Sequence, residues 1–480
     1  MPEPSVAESS EEGAGAMRVF DSPLAPADSA ARAQLERGVR GIDLAAAPVI
    51  LPDFHHKQDL EMPSSIAVAT RETVHPIFTS SSVNCGMALI ALNHDAPPRK
   101  AIADFYRRVR ERYPYPPTSR RELTVSEVVE AAARGAEFAA DRFGISSDEL
   151  ERVEEGGRIN LEPFGGEERL RGVLPLPSLM LSRQRFGTIG PSNHFIELQV
   201  VEELCDTPVA QRLGLRLGQL VLHYHAGGGV LAGQVGRLFG RRKKASRALR
   251  LQMAIQRPIY HFASARSARE IRARLQLYFS RGPKPVPRSG PEGRRLLLAN
   301  AGAMNYAFAF RMATYANLRR LADQAFGRAR SRLIVDSPHN SIYLEQVNGE
   351  PAVVHRHNAC RAYPASRLPA GTAFGEVGQA LLLPGTNQTS SFLCVAGDKA
   401  EGSLYSACHG AGTMIEDFRR RGLSGPDPKE RVTLRFRYSG AEPEEVPQLD
   451  DAGVNAALEI LAGNGLVRPV SRMRPLAVLT

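Results

Sequence analysis

The stretch GTIGPSNHFIELQVV, residues 187–201, places His194 between a turn rich in glycine and proline and a run of apolar residues. A run such as FIELQVV, with aromatic and β-branched residues bounded by a turn, is typical of a β-strand. Residues 218–225, GQLVLHYH, form a second such run, which ends on His225. The sequence therefore predicts strand–turn units that carry histidines where strands and turns meet.

Three more motifs of this kind occur along the chain. Cys85 lies in SVNCGM and His339 in DSPHNSIYLEQ. His409 lies in SACHGAG, and His225 itself opens HAGGG, which is nearly bare of side chains. Thiolate and imidazole donors on tight turns can bind Zn²⁺ or Mn²⁺ next to a phosphate group. Each motif alone also fits a buried cysteine or a turn-stabilising histidine, but five in one chain favour a metal site with phosphate chemistry.

Other residues near these motifs are predicted to have supporting roles. Asp336, three residues before His339, is predicted to orient that imidazole ring. His223, His355 and His357 lack comparable glycine- or asparagine-rich contexts, so we expect them to face solvent or to support the ligands.

The composition limits the class of protein and its partners. With 480 residues, of which 43% are hydrophobic, the chain can bury a large core as one domain or two. Its net charge of +10 favours a polyanionic partner, although a basic soluble enzyme would show the same balance. There are five cysteines, an odd number without a CxxC pair, so we predict free thiols in a reducing compartment.

The absence of long apolar runs in the sequence predicts a cytoplasmic protein. The first residues, MPEPSVAESSEEGAGA, are acidic and lack the apolar run of a signal peptide. No other run approaches the roughly 20 apolar residues that cross a bilayer, so we expect no membrane association.

Sequence patterns divide the chain into a tail and one large domain. Residues 1–30 are predicted to form a disordered acidic tail, because small and acidic residues dominate its start. Helical periodicity and composition mark four internal segments: a basic helical segment at 236–281, a Pro/Gly linker at 280–293, a long helix at 294–326 and a short helix at 452–462. The basic run in the first of these is either a solvated helix face or a nucleic-acid patch: Arg241, Arg242, Lys243, Lys244 and Arg247.

Several segments, taken in order, resemble the RtcB family of RNA-splicing ligases. The resemblance runs from PDFHH at 52–56 to RPLAVL at 474–479. Its most specific segments are GTIGPSNHFIELQ, AMNYAFAFR, PHNSIYLE, VHRHNACRAYP, LLLPGTNQTSS and SACHGAG. It implies an α+β fold of the RtcB type, in which residues 31–480 form a single large catalytic domain with mixed sheets and flanking helices.

The resemblance also implies an activity. Members of this family join RNA ends that carry a 2′,3′-cyclic phosphate or 3′-phosphate to 5′-hydroxyl ends, using GTP and Mn²⁺. The histidine of the CHGAG motif, His409 here, becomes guanylylated. The expected partners are RNA ends, such as tRNA halves or damaged RNA, and the activating protein archease.

Two sets of site residues follow from the resemblance. The metal ligands are Cys85, His194, His225 and His339, with Cys85 bridging two Mn²⁺ ions. The nucleotide-binding residues are Asn193, Glu197, Thr386, Ser391, Gly410, Ala411 and Gly412.

Apart from Thr386, which replaces a usual serine, the chain departs from the family pattern at five positions. Ser82 replaces an aspartate that binds the second metal, and Asp53 is a candidate to supply the missing carboxylate. The other four departures remove polar or charged groups near the nucleotide: Gly229 and Thr413 for arginines, Thr480 for a lysine and Phe310 for an asparagine. An alternative is therefore a degenerate homologue that binds RNA 3′-phosphate ends with little or no sealing activity. A metal-dependent phosphohydrolase is a third.

Overall fold

The computed structural model describes residues 17–56, 62–115, 121–190, 194–240, 246–280, 284–328 and 330–480. The first sixteen residues of the predicted tail, the basic run at 241–244 and the predicted nucleotide-binding residue Asn193 lie outside these ranges.

Within these ranges the chain forms eighteen strands: β1 (Arg18–Val19), β2 (Val49–His55), β3 (Ser64–Thr70), β4 (Thr73–Val74), β5 (Gly86–Asp95), β6 (Phe195–Leu204), β7 (Gln219–Ala226), β8 (Val286–Pro287), β9 (Arg332–Pro338), β10 (Asn340–Val347), β11 (Glu350–His357), β12 (Ala359–Arg361), β13 (Ala380–Leu383), β14 (Ser391–Ala396), β15 (Ser406–Cys408), β16 (Val432–Phe436), β17 (Glu444–Pro447) and β18 (Val467–Leu479).

The same ranges hold fourteen α-helices: α1 (Ser29–Val39), α2 (Arg99–Arg112), α3 (Val125–Arg134), α4 (Ala136–Phe143), α5 (Ser147–Leu150), α6 (Glu167–Val173), α7 (Leu176–Ser182), α8 (Thr207–Leu213), α9 (Gly229–Phe239), α10 (Arg247–Ala263), α11 (Ala268–Phe279), α12 (Pro291–Phe326), α13 (Gly412–Arg420) and α14 (Ala452–Gly463).

A nine-stranded mixed sheet forms the centre of the molecule. Seven of its strands run in the order β13-β14-β18-β6-β7-β5-β9, and β16 and β17 extend it from β18. Side chains alternate between its two faces. On one face Leu198 and Leu222 join a core with α2 and α12, and on the other Leu89 and Val221 pack with residues of β13 and β14. Both faces are therefore buried, which explains why these strands read as nearly continuous apolar runs.

A second sheet of five strands, in the order β1-β2-β3-β11-β10, packs through its own apolar cluster with α13 and α14. The α+β fold class with mixed sheets and flanking helices is therefore confirmed.

The longest helix, α12, spans 36 residues, or about 54 Å at 1.5 Å per residue. Pro291 lies in its first turn, where a missing N–H has no helical partner to lose. Its middle portion, AMNYAFAFR, is buried on all sides because α2, α3, α4 and α9 surround it. The predicted helix at 294–326 is thus confirmed, three residues longer at its start.

Two predicted segments have a different structure from the one expected. Residues 17–30 are not a disordered tail, because β1 pairs in parallel with β2 and Asp28 caps the first turn of α1. Residues 284–293 of the predicted linker contain β8, which pairs with β4, and the first turn of α12. Proline at a strand edge and at a helix start explains why this proline-rich stretch holds regular structure.

The basic helical segment at 236–281 forms the end of α9 and the two helices α10 and α11. In the described part of the chain, no helix is both long enough and apolar enough to cross a membrane.

Candidate active site

Three of the predicted metal ligands meet at one end of the nine-stranded sheet. Cys85 immediately precedes β5, His225 is the penultimate residue of β7, and His339 immediately follows β9. Because β5 is antiparallel to both β7 and β9, its start lies beside their ends. The backbone N–H of His339 donates to the carbonyl of Cys85 at 2.9 Å, which joins the two turns directly.

The donor atoms of Cys85, His225 and His339 lie within 4.8 Å of one another, and all three side chains are buried. The Cys85 Sγ atom is 3.1 Å from His225 Nε2. The ring centroids of His225 and His339 are 5.0 Å apart. One sulfur and two imidazole nitrogens in this arrangement suit a borderline divalent cation such as Zn²⁺, and Mn²⁺ more weakly.

His194 approaches the same sulfur from the neighbouring strand. It immediately precedes β6, and its Nε2 atom lies 3.5 Å from Cys85 Sγ. Burial lowers the pKa of His194 to about 4, so the ring is neutral and able to act as a ligand at neutral pH. The His194 and His225 rings thus both reach the Cys85 Sγ atom, and their centroids are 5.0 Å apart.

Ser82 lies beside His194. A Cβ atom added to Gly227 would be 3.3 Å from His194 Cε1 and 3.7 Å from Ser82 Oγ, so both side chains border the same point. A carboxylate at position 82 would be well placed to share a cation with His194, and the serine offers a neutral hydroxyl instead.

Asp53 is engaged elsewhere. Its Oδ1 atom accepts a hydrogen bond from the Met414 N–H at 3.0 Å, in the first turn of α13, and its Oδ2 atom is 3.8 Å from His55 Nδ1. Asp53 is also absent from the group of donor atoms around Cys85. The idea that Asp53 replaces the missing ligand therefore has no support in this geometry.

His409 lies against the metal ligands. It follows β15, which pairs with β12 so that Cys408 is opposite Ala359. The Ala359 N–H donates to the His339 carbonyl at 3.0 Å, which ties this small sheet to the metal site. As a result the ring centroids of His339 and His409 are only 4.5 Å apart.

Two of the predicted nucleotide-binding residues, Glu197 and Ser391, share one hydrogen-bond network. Gln199 Nε2 donates to Glu197 Oε1 and, at 3.0 Å, to Ser391 Oγ. The Gly385 N–H also donates to Ser391 Oγ, at 3.2 Å. Sequence reasoning missed Gln199, although a period of two on β6 places it on the same face as Glu197.

Burial raises the pKa of Glu197 to about 8, against the hydrogen bond from Gln199, which lowers it. At pH 7 this carboxyl group is therefore mostly protonated. A buried acid with a raised pKa in a cleft of polar residues is typical of a functional site.

Of the remaining predicted nucleotide-binding residues, those that the structure describes border this network. Thr386 Oγ1 accepts the Gln388 N–H at 3.2 Å and is thus used within its own turn. The Ala411 N–H donates to the Pro384 carbonyl at 3.2 Å, so the loop of Gly410, Ala411 and Gly412 lies against the turn that leads to Ser391.

The buried pair Arg311–Asp336 corrects one prediction. Asp336 does not orient His339, because its carboxylate accepts hydrogen bonds from Arg311 Nε at 2.8 Å and Nη2 at 2.7 Å. Arg311 also donates to the Asn84 carbonyl, next to Cys85. Removing one partner of such a pair typically costs about 3–5 kcal/mol. The pair thus fixes the turn that carries Cys85.

Three histidines that we expected to face solvent or support the ligands are fully buried. His355 accepts the His75 N–H at 2.9 Å, and His357 Nδ1 is 2.9 Å from the Pro63 carbonyl. His223 lies in β7, directly opposite Glu197. Other parts of the chain cover the strand faces on which these histidines lie. The alternation of polar and apolar residues in the sequence does not reveal this cover.

Two of the departures from the family pattern touch each other. Gly229 starts α9 with a φ of +61°, and a Cβ atom there would lie 3.0 Å from Cε2 of Phe310. The Phe310 ring thus fills the space beside Gly229. At a third position, Thr413 Oγ1 lies 3.1 Å from His55 Nδ1.

Comparison with known proteins found related sequences over nearly the whole chain. The family described as "tRNA-splicing ligase RtcB" matches residues 38–480. Among similar proteins, the tRNA-splicing ligase RtcB of Thermococcus kodakarensis is 27% identical over 90% of this chain and 86% of its own length. The RtcB proteins of Aeropyrum pernix and Archaeoglobus fulgidus are each 26% identical, over 90% and 91% of this chain and 87% and 88% of their own lengths.

Proposed function

Because the chain belongs to the RtcB family of tRNA-splicing ligases, we propose that it joins RNA 2′,3′-cyclic phosphate or 3′-phosphate ends to 5′-hydroxyl ends through a guanylylated His409. GTP is the co-substrate and Mn²⁺ the metal. The substrates are tRNA halves or damaged RNA, and archease is the activating partner.

The observation that carries this proposal is the position of His409. Its ring lies 4.5 Å from that of His339, which belongs to the cluster of three metal-ligand candidates. A metal held there would neutralise charge on the α-phosphate of GTP. The imidazole nitrogen of His409 then attacks the α-phosphorus, an N–P bond forms, and pyrophosphate leaves.

The second half of the reaction returns His409 to its starting state. An oxygen of the RNA 3′-phosphate attacks the guanylyl phosphorus, the N–P bond breaks, and the RNA end carries GMP. The 5′-hydroxyl oxygen of the other RNA then attacks the 3′-phosphate and GMP leaves, with the hydroxyl proton passing to solvent or a base. A cyclic phosphate is first opened by water to give the 3′-phosphate.

Guanine recognition is proposed for Glu197. Guanine presents two neighbouring N–H donors, and an ionised carboxylate offers two acceptors. Glu197 is fully buried and linked through Gln199 to Ser391, so the network has the chemistry to hold a purine edge and the adjacent ribose or phosphate.

The first test is covalent labelling. With GTP labelled at the α-phosphate and Mn²⁺ present, we expect an acid-labile adduct that disappears in His409→Ala. His94→Ala serves as the matched control, since His94 lies at the far end of β5 and contacts Gly327. If wild-type protein stays unlabelled at every Mn²⁺ concentration, with archease added, the ligase proposal fails.

The degenerate homologue is the second candidate function, because Phe310 fills the space beside Gly229 where the family has an arginine. Such a protein would bind RNA with a 3′-phosphate more tightly than RNA with a 3′-hydroxyl, yet would not accumulate sealed product. Labelled protein that fails to seal a matched pair of RNA ends would favour this candidate.

A further inference from the structure

His223 is a buried histidine for which the proposed reaction has no use. It is 0% exposed and lies in the middle of the nine-stranded sheet. Neither of its ring nitrogens has a hydrogen-bond partner within the described part of the chain. Buried polar groups nearly always have a partner, because leaving one unpaired forfeits its hydrogen bonds to water. The ring therefore calls for a ligand or a trapped water.

The surroundings of His223 point to the nucleotide pocket. In the sheet register His223 is directly opposite Glu197 on one side and Leu89 on the other. Directly opposed side chains on neighbouring strands have Cβ atoms about 4.5–5.5 Å apart and share a face. The ring of Phe195 meets that of His223 edge to face, with centroids 5.0 Å apart.

A further unpaired atom lies in the same network. Gln199 Oε1 is buried and has no hydrogen-bond partner in the described ranges, although Gln199 Nε2 is bonded to both Glu197 and Ser391. His223, Glu197 and Gln199 thus form a group of polar side chains on one face of the sheet. Its hydrogen-bonding capacity is only partly used.

The donor and acceptor types of this group suit a purine. A neutral imidazole such as that of His223 has one N–H donor and one acceptor nitrogen. Guanine has N–H donors at N1 and N2 on one edge, and its O6 and N7 atoms are acceptors on the neighbouring edge. A carboxylate can meet the donors while an imidazole N–H meets an acceptor.

We propose that His223 is a base-recognition residue, which donates a hydrogen bond to the purine that Glu197 also reads. This inference rests on the proposed function, because it assumes that a guanine nucleotide binds beside Glu197. It adds a specificity-determining residue that the family pattern did not single out in this sequence.

The test compares nucleotide affinities of His223→Phe with those of the wild type. The apolar ring fills similar space without a hydrogen-bonding atom. We expect GTP affinity to fall roughly threefold to tenfold, as for one lost hydrogen bond, while CTP affinity stays unchanged. The midpoint of thermal unfolding should stay level or rise, because an unpaired buried polar group has been removed.

His355→Phe is the matched control. His355 is equally buried, but its ring accepts the His75 N–H at 2.9 Å. We expect this variant to lose thermal stability and to keep its nucleotide affinities. His223→Leu repeats the main test in case the larger ring cannot pack.

The possible outcomes distinguish failure of the proposed guanine site from failure of the proposed role of His223. Wild-type protein that does not prefer GTP to CTP would overturn the proposed guanine site itself. Wild-type preference for GTP that is unchanged in both His223 variants would mean that the ring holds only water. An equal loss of GTP and CTP affinity would mean that His223 acts through the neighbouring ligand His225, and would overturn base recognition.

Discussion

Glu197 is a protonated carboxylic acid at the position where the proposed function needs a hydrogen-bond acceptor for guanine. Its pKa is raised to about 8 by burial, so the free protein holds a proton there at pH 7. In the proposed site guanine would offer two N–H donors to this residue, and only the ionised carboxylate could accept both. Guanine binding would therefore be coupled to the loss of a proton.

We expect the affinity for GTP, measured without metal, to rise roughly tenfold between pH 6.5 and pH 8. Below the pKa of about 8 only a small fraction of Glu197 is ionised, and that fraction grows with pH. Isothermal titration calorimetry in two buffers of different ionisation enthalpy should detect the released proton. Glu197→Gln should bind GTP weakly and independently of pH. A pH-independent wild-type affinity would rule out ionised Glu197 as the guanine reader.

At the scale of elements, the contact between α9 and α12 explains why two departures from the family occur together. Gly229 begins α9 with a positive φ, which glycine adopts without strain. Phe310 on α12 occupies the space that a side chain at 229 would need. Restoring the arginine alone would therefore strain the backbone and collide with the ring.

A double-mutant cycle at this contact tests the idea. We expect Gly229→Arg to lower the free energy of unfolding by about 1–3 kcal/mol, from overpacking and positive φ. Phe310→Asn should also destabilise, because it empties part of the core. The double variant should lose less free energy of unfolding than the sum of the two single losses, by at least about 0.5 kcal/mol. Gly229→Ala is the control, because it measures the energetic cost of a side chain at a positive φ without the bulk of the arginine. Strictly additive losses would show that the two residues are independent.

At the scale of the whole molecule, the metal-ligand candidates join distant parts of the chain. Cys85, His194, His225 and His339 come from four neighbouring strands of the central sheet. A cation bound by them should stabilise the entire fold, by about 2.7 kcal/mol at a hundred times its dissociation constant. Thermal unfolding is therefore a direct assay of the site.

We expect Zn²⁺ to raise the unfolding midpoint of the wild type more than an equal concentration of Mn²⁺. Sulfur and imidazole donors favour Zn²⁺, whereas Mn²⁺ prefers carboxylate ligands, and position 82 lacks one. Ser82→Asp should increase the shift caused by Mn²⁺. Ser80→Asp, which adds the same charge two residues away, should not. An equal response of both variants would attribute the gain to charge alone.

The sequence predicted the elements whose signal is local, such as β6, β7 and α12, because their apolar runs are long and bounded by turns. It failed where the deciding contact is tertiary. Asp336 pairs with Arg311 on another element instead of with nearby His339, and His223 is buried because residues of β13, β14 and α8 pack on its face of the sheet. The segment 17–30 was predicted as part of a tail, but its pairing with β2, the packing of Met17 and the Asp28 cap of α1 order it.

The candidate donor atoms lie at the start of β6, the end of β7, the start of β5 and the end of β9. They come together only when these four strands pair in the correct register. A slip of one residue between any two of these strands would turn a donor to the opposite face of the sheet. A misfolded or partly swapped molecule would therefore hold no cation, however many cysteines and histidines it contains. If the site binds a cation as proposed, the ratio of bound metal to protein at saturating metal would count the properly aligned molecules in a preparation before any activity is measured.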